Sequence, residues 1–268
     1  METDLVTFEL KNNIAYVGLN RPRKMNALNF DMFKAIDHVI QKIAKNRNIT
    51  AVILFGAEAN FSSGLDVKSL SKQPSKAVSL LFKWLPGNAN LAQRVSIGWQ
   101  RLPVPVIAVI QGCCFGGGMQ IALGADMRIA QPTAKLSIME AKWGLVPDMA
   151  GLASLRQVMA KDKALQLTYT ADILSANEAQ ALGLVTEVVD DAMARAESLV
   201  KQFQQTSPDA IAAIKHSINK SWNGSIRALL SRESISQIRL LIGKNRLIAA
   251  IRQTKNPDKS YRPRQSWW

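Results

Sequence analysis

The stretch VIAVIQGCCFGGGMQIALGADMRIA, Val106–Ala130, stays uncharged until Asp126 and passes through three successive glycines, Gly116 to Gly118, before reaching Gln120. The uncharged run from Val104 to Ala125 is long enough to suggest a membrane span. Pro105, the glycines, Gln111 and Gln120 argue instead for a buried strand, a glycine turn and a buried helix. Glycines at such a junction let the backbone lie against a ligand, and first-turn N–H groups of a helix lack an intrahelical acceptor. Those amides favour an anion or a developing oxyanion. Taken alone, the run serves equally well as a tight, closely packed strand-to-helix turn. It fits neither G-x-G-x-x-G, because Ile121 occupies the last glycine position, nor G-x-x-x-x-G-K, because Gly118 stands where lysine is needed. Dinucleotide and nucleoside triphosphate binding therefore have no motif behind them.

On the N-terminal side, TFEL and IAYVGLN alternate around Asn12 and Asn13 and predict a hairpin. In FDMFKAIDHVIQKIAK the residues Met32, Phe33, Ile36, Val39, Ile40 and Ile43 keep helical spacing, and TAVILFG is too apolar for an edge strand. A helical segment is expected over Lys76–Arg101. Beyond the glycine run we expect a strand pair around MRIAQPTAKLSI, the loop EAKWGLVPDMAG, a helix over Gly151–Met159, and only helices from about Ala192 onward. Strand pairs alternating with helices predict an α/β spiral core over residues 1–191 and a C-terminal helical subdomain over 192–268. The apolar face of ISQIRLLIGKNRLIAAIR must pack on the core or on a neighbouring subunit.

The 268 residues are 47% hydrophobic, enough for a large core. METDLVTFEL does not read as a leader, and RQSWW is no lipidation or sorting signal. The two cysteines, Cys113 and Cys114, are adjacent and form neither a disulfide framework nor a metal set, so a reducing cytoplasm is the expected location. The formal charge of +14 attracts anions: nucleic acid, acidic lipid or a phosphorylated small molecule. Much of the excess lies in the tail, where Arg239, Lys244, Arg246, Arg252, Lys255, Lys259, Arg262 and Arg264 face one acid, Asp258. A solvated face explains such a run as simply as a binding patch does.

A second strand end, FSSGLDV, also carries a glycine, and Gly64 frees the amide of Leu65. Two amides from two strand ends can converge on one oxygen, the construction that stabilises an enolate derived from a thioester. Each such donor is worth roughly 3 kcal/mol in the transition state. Together with LNRPRKMNAL, LSIMEAKWGLVPDMAG and ILSANEAQALGLVTEVV, these segments make the chain resemble the crotonase superfamily, the enoyl-CoA hydratases and isomerases, over nearly all of residues 1–190.

The resemblance implies a crotonase-type ββα spiral, a homo-oligomer built of trimers (a trimer or a dimer of trimers), and an acyl-CoA thioester as substrate without metal or redox cofactor. It assigns the oxyanion-hole amides to Leu65 and Gly117, and places Arg23, Lys24 and Lys68 near CoA phosphates or adenine. Lys68 reads equally as a solvated helix residue. Where hydratases of the family carry a first glutamate, this chain has Gln120, which can orient a water or thioester but cannot exchange a proton. The second glutamate position holds Glu140, otherwise a surface carboxylate at a strand end. Asp148 follows eight residues later, with the spacing of the family's dienoyl-CoA isomerases, although those carry an aspartate where Gln120 stands. Asp148 could instead cap the following helix.

The expected activity is therefore double-bond isomerisation of an enoyl- or dienoyl-CoA. The alternatives are hydration of a 2-enoyl-CoA by Glu140 alone, a non-catalytic CoA-binding homologue, or RNA binding through the basic tail with Tyr261, Trp267 and Trp268. No nucleic-acid motif supports the last. Cys113 and Cys114 are expected as small core hydrophobes, His38 and His216 as structural or exposed, Asp66 and Asp126 as structural hydrogen-bonding groups, and Trp143 in the acyl pocket or the core.

Overall fold

The structure is a computed structural model and describes residues 4–72 and 74–268, so the first three residues of the N-terminal reading and of the expected 1–191 unit lie outside it. Strands β1 (Val6–Lys11) and β2 (Ile14–Leu19) form the expected antiparallel hairpin. Asn12 and Asn13 take φ values of 51° and 62° at its turn, left-handed conformations that asparagine tolerates better than most residues. Helix α1 (Phe30–Lys45) begins at Asn29, whose side chain accepts from the Met32 amide, and it buries the six apolar positions read from its spacing. Strand β3 (Ala51–Gly56) is buried on both faces: Val52 and Leu54 enter the main core, and Ala51 and Ile53 a second one. That is why its sequence runs apolar without alternation.

The segment expected as one helix over 76–101 is two. After α2 (Val67–Ser71) come α3 (Pro74–Leu81) and α4 (Leu91–Arg101), separated by residues 82–90. Pro86 and Gly87 interrupt the helical path, and Asn90 starts α4 afresh through a reciprocal capping box with Gln93.

Strand β4 (Val106–Ile110) turns at Gln111–Gly112 into the short β5 (Cys113–Phe115), and Gly116 leads into α5 (Gly117–Leu123). Next come β6 (Met127–Ala130) and β7 (Lys135–Ser137). These two were expected to pair, but they lie in different sheets: β6 runs parallel to β4, and β7 runs parallel to β5. Both chain segments turn the corner at the same level, held there by the Gln131 amide on Ile110 O and the Lys135 amide on Gly112 O, 2.9 and 2.8 Å. Each strand is thus continued across the corner beside its neighbour, the repeat expected of a spiral.

A single 3₁₀ turn, Glu140–Trp143, precedes α6 (Gly151–Val158) and α7 (Lys161–Thr170). The chain continues through β8 (Leu174–Ser175), α8 (Ala176–Ala181), β9 (Glu187–Val188), α9 (Ala192–Phe203), α10 (Pro208–Ser221), α11 (Ile226–Leu241) and α12 (Lys244–Thr254). The larger sheet has the order β1-β2-β3-β4-β6-β9 and the smaller β5-β7-β8. The chain therefore carries the expected α/β core followed by helices. Helix α9 covers the outer face of the larger sheet with Ala192, Ala196 and Val200. Lys215 fastens α10 to the mouth of β4, donating to Trp99 O, Val104 O and Asp126 Oδ2. No helix among the described residues is long and apolar enough to cross a membrane.

Candidate active site

After β3 the chain returns along the second corner. Ser62 N donates to Cys113 O at 3.0 Å, and Phe115 N to Ser62 O at 2.9 Å. Beside it, Leu28 N donates to Gly64 O at 2.8 Å and Asp66 N to Leu28 O at 2.9 Å. These bonds bracket Leu65, yet its own N–H has no acceptor among the described residues, and neither has that of Gly117. Gly64 takes φ 91°, and a Cβ built there would stand 3.4 Å from the Gly117 nitrogen. Two unpaired amides from different strand ends thus lie side by side.

The loop LNRPRKMNAL is stitched underneath. Buried Asn26 donates to Ala57 O and Asn60 O at 2.9 and 2.7 Å, and Ser62 Oγ donates to Asn26 O while accepting from Gly64 N. Arg21 pairs with Asp66 at 3.1 Å, and Asp66 also caps α2 by accepting from Ser69 N. Arg23, Lys24 and Lys68 are exposed on these two adjoining segments.

Glu140, only 6% exposed, sits against the glycine run: a Cβ on Gly116 would be 3.3 Å from its Oε1. Gln120, from α5, donates through Nε2 to Glu140 Oε1 at 2.6 Å. Its Oε1 accepts from the Met149 and Gly151 amides at 2.8 and 3.0 Å. Two backbone donors fix which end of the carboxamide is oxygen, so the NH₂ group must face Glu140. One carboxylate oxygen is thereby held, while Glu140 Oε2 is buried without a partner among the described residues. An acceptor kept free in a buried place is available to a proton from a bound substrate.

Burial pushes the Glu140 carboxyl above the ordinary glutamate range; the bonds from its backbone and Gln120 pull it back, and the nearby Asp148 charge adds to the rise. Asp148, half-buried, is also raised by desolvation. It does not cap α6. The N-cap is Ala150 at φ 63° with no side-chain bond, and the Gly151 amide is taken by Gln120. The structure therefore gathers Glu140, Gln120 and Asp148 beside the amides of Leu65 and Gly117.

The remaining candidates lie apart or take other roles. Cys114 is buried and Cys113 half-buried, with both thiols raised by desolvation. His38 and His216 are exposed. Trp143 is 67% exposed and so does not fill the core. Asp126 accepts from Val106 N and Lys215, as a structural group would. Sequence reasoning missed Arg21, Asn26 and the amides of Met149 and Gly151. Asn26 left a local signal, an asparagine in a loop where a left-handed residue is needed, at φ 54°.

The sequence profile of the enoyl-CoA hydratase/isomerase family matches residues 9–235. The protein YngF of Bacillus subtilis (strain 168), which carries an enoyl-CoA hydratase/isomerase name, is 35% identical over 221 residues, 81% of this chain and 82% of that protein. A short-chain-enoyl-CoA hydratase of Clostridium acetobutylicum is 33% identical over 237 residues, 87% of this chain and 88% of the relative. Among solved structures, the enoyl-CoA hydratase of Bacillus anthracis superposes with a TM-score of 0.86 at 26% identity, covering 96% of this chain and 98% of that one. Glycine-lined amides at two strand ends, a spiral core around them and matches of this extent agree, and the chain belongs to the enoyl-CoA hydratase/isomerase family.

Proposed function

We propose that the chain acts on an acyl-CoA thioester and moves a double bond along its acyl chain. The amides of Leu65 and Gly117 hold the thioester oxygen, and Arg23, Lys24 and Lys68 face the CoA phosphates. Glu140 Oε2 takes a proton from carbon, the electron pair passes into the enolate, and Asp148 returns a proton at the far end of the conjugated system. The observation that carries this reading is that Gln120 is clamped with its Oε1 on two backbone amides and its Nε2 on Glu140, while the second carboxyl at the site is Asp148. Burial raises both carboxyls, and the Asp148 charge raises Glu140 further, so each keeps its proton to higher pH than an exposed carboxyl, the direction a general acid needs.

Hydration of a 2-enoyl-CoA through Glu140 is the second reading, favoured by the hydratase names of the relatives. The deciding experiment incubates the protein with 3-enoyl-, 2-enoyl- and 3,5-dienoyl-CoA thioesters and scores double-bond migration against water addition by NMR. Asp148→Asn is expected to lower isomerisation by about 10²-fold or more with little change in stability, because Asp148 does not cap α6 and asparagine keeps an oxygen to accept the backbone hydrogen bond. Isomerisation that survives this substitution sinks the two-carboxyl mechanism.

Gln120→Glu probes the same geometry from the other side. The introduced carboxylate replaces a donor that lies 2.6 Å from Glu140 Oε1, so the two acids must share a proton. Water addition to 2-enoyl-CoA is expected to appear or rise, and the acid limb of its pH–rate profile to move upward. An unchanged profile would show that the new group does not couple to Glu140.

The exposed apolar side chains Ile214 and Ile218 on α10, Trp222 just beyond it, and Ile226 and Ile238 on α11 fit the proposal that the chain assembles with its own copies.

A further inference from the structure

The candidate active site lies at the C-terminal ends of β3 and β4. At the opposite ends of β2 and β3 lies a half-open cavity of about 460 Å³, walled by the Asn12–Asn13 turn, the segment before β3, the α9–α10 junction and residues of the C-terminal tail. Arg47, Arg252, Arg262 and Arg264 line it, against one acid, Asp258.

Arg264 decides what this cavity is for. It is 1% exposed, and its Nη1 donates to Trp268 O at 2.8 Å. Its Nε and Nη2 are shielded from water and have no acceptor among the described residues. These two N–H groups form one edge of the guanidinium, the edge that takes two oxygens of a phosphate or carboxylate in parallel. The nearby Asp209 cannot serve, because its Oδ1 accepts from Gln265 N at 2.7 Å and its Oδ2 from Asn245 Nδ2 at 2.9 Å.

Arg252 donates to Lys259 O and to Gln205 Oε1, neutral acceptors that leave its charge uncompensated. Burial presses the Arg264 guanidinium downward in pKa; the Asp209 charge opposes this, and the weaker influence of Arg47 adds to it. A guanidinium does not release its proton in proteins, so the two N–H donors left without partners on this buried cation remain for an outside acceptor.

We propose that this cavity is a binding site for a phosphorylated small molecule, with the Nε/Nη2 edge of Arg264 taking two phosphate oxygens and Arg47 and Arg262 neutralising the remaining charge. Four cations line the cavity against Asp258, with Asp209 behind Arg264, and this remaining positive excess suits a multiply charged phosphate better than a single carboxylate. The site is separate from the CoA positions proposed above, since Arg23, Lys24 and Lys68 stand on the segments beside Leu65.

The test is calorimetric titration of the full chain with inorganic pyrophosphate in the presence of saturating CoA. One site per chain is expected. The double substitution Arg47→Ser/Arg262→Ser removes two exposed side chains and is expected to weaken binding at least tenfold. The charge-matched control Lys220→Ser/Arg227→Ser, also on exposed side chains, is expected to leave binding unchanged. Arg264→Lys, which keeps the charge but loses the parallel donors, is expected to weaken it as well. The site is refuted if no binding is seen, if both double variants weaken it alike, or if CoA displaces pyrophosphate. Tighter binding of citrate than of pyrophosphate refutes the phosphate assignment.

Discussion

Glu140→Gln is expected to lower kcat by about 10³-fold while CoA affinity stays within roughly a factor of two of the parent. The substitution keeps the shape of the side chain and an oxygen to accept from Gln120 Nε2, so the geometry around Gly116 survives. What disappears is the basic oxygen at the unpartnered Oε2 position. Steady-state kinetics with the reactive thioester, together with CoA binding by calorimetry, separates the two effects. A loss of binding that matches the loss of turnover would show that Glu140 holds substrate and does not transfer a proton.

The same variant reports on stability. Burial raises the Glu140 carboxyl above its ordinary value of 4.5, so the folded chain binds that proton more tightly than the unfolded one. Stability from this group is therefore greatest at low pH, declines as pH rises from about 4.5 through the raised value, and stays lowered at neutrality. Glu140→Gln is expected to resist urea better than the parent at pH 7.5, and the advantage should vanish near pH 4. An active site that destabilises its own fold in this way is built for proton exchange.

How much of this was legible depended on how local each signal was. Helix α1 could be read to the residue because its six buried positions keep one period over four turns and Asn29 marks its start. The glycine turn was legible because it joins two apolar segments, each long enough to name. Strands β5, β7 and β8, of three, three and two residues, offer too few positions for alternation to show. That is why β6 and β7 read as partners when a corner separates them. Gln120 could be recognised as a departure from a carboxylate pattern, but not as a clamp. Its acceptor contacts come from amides at positions 149 and 151, and backbone groups carry no sequence signature. Gly151 is the trace of that contact, since a Cβ there would fall 2.6 Å from Gln120 Oε1.

Gly64→Ala should be the most damaging substitution outside the carboxyl pair, and it tests the oxyanion hole whichever reaction is catalysed. Gly64 holds φ 91°, where a side chain is strained at a cost of about 1–3 kcal/mol. A methyl group there would also lie 2.8 Å from Phe115 O, a backbone atom of β5. That strand cannot retreat, because Phe115 N is bonded to Ser62 O and the strand pairs with β7. The 61–65 segment must move instead, carrying the Leu65 amide away from that of Gly117. Loss of one such donor costs about 10²–10³ in kcat. We therefore expect kcat to fall at least hundredfold, with a lower melting temperature but a folded chain. Gly87→Ala is the control, since a methyl group there meets nothing within 4 Å. Both isomerisation and hydration pass through charge on the thioester oxygen, so both should fail together in Gly64→Ala. If the variant melts earlier yet turns over at the parent rate, these two amides are not where that charge develops.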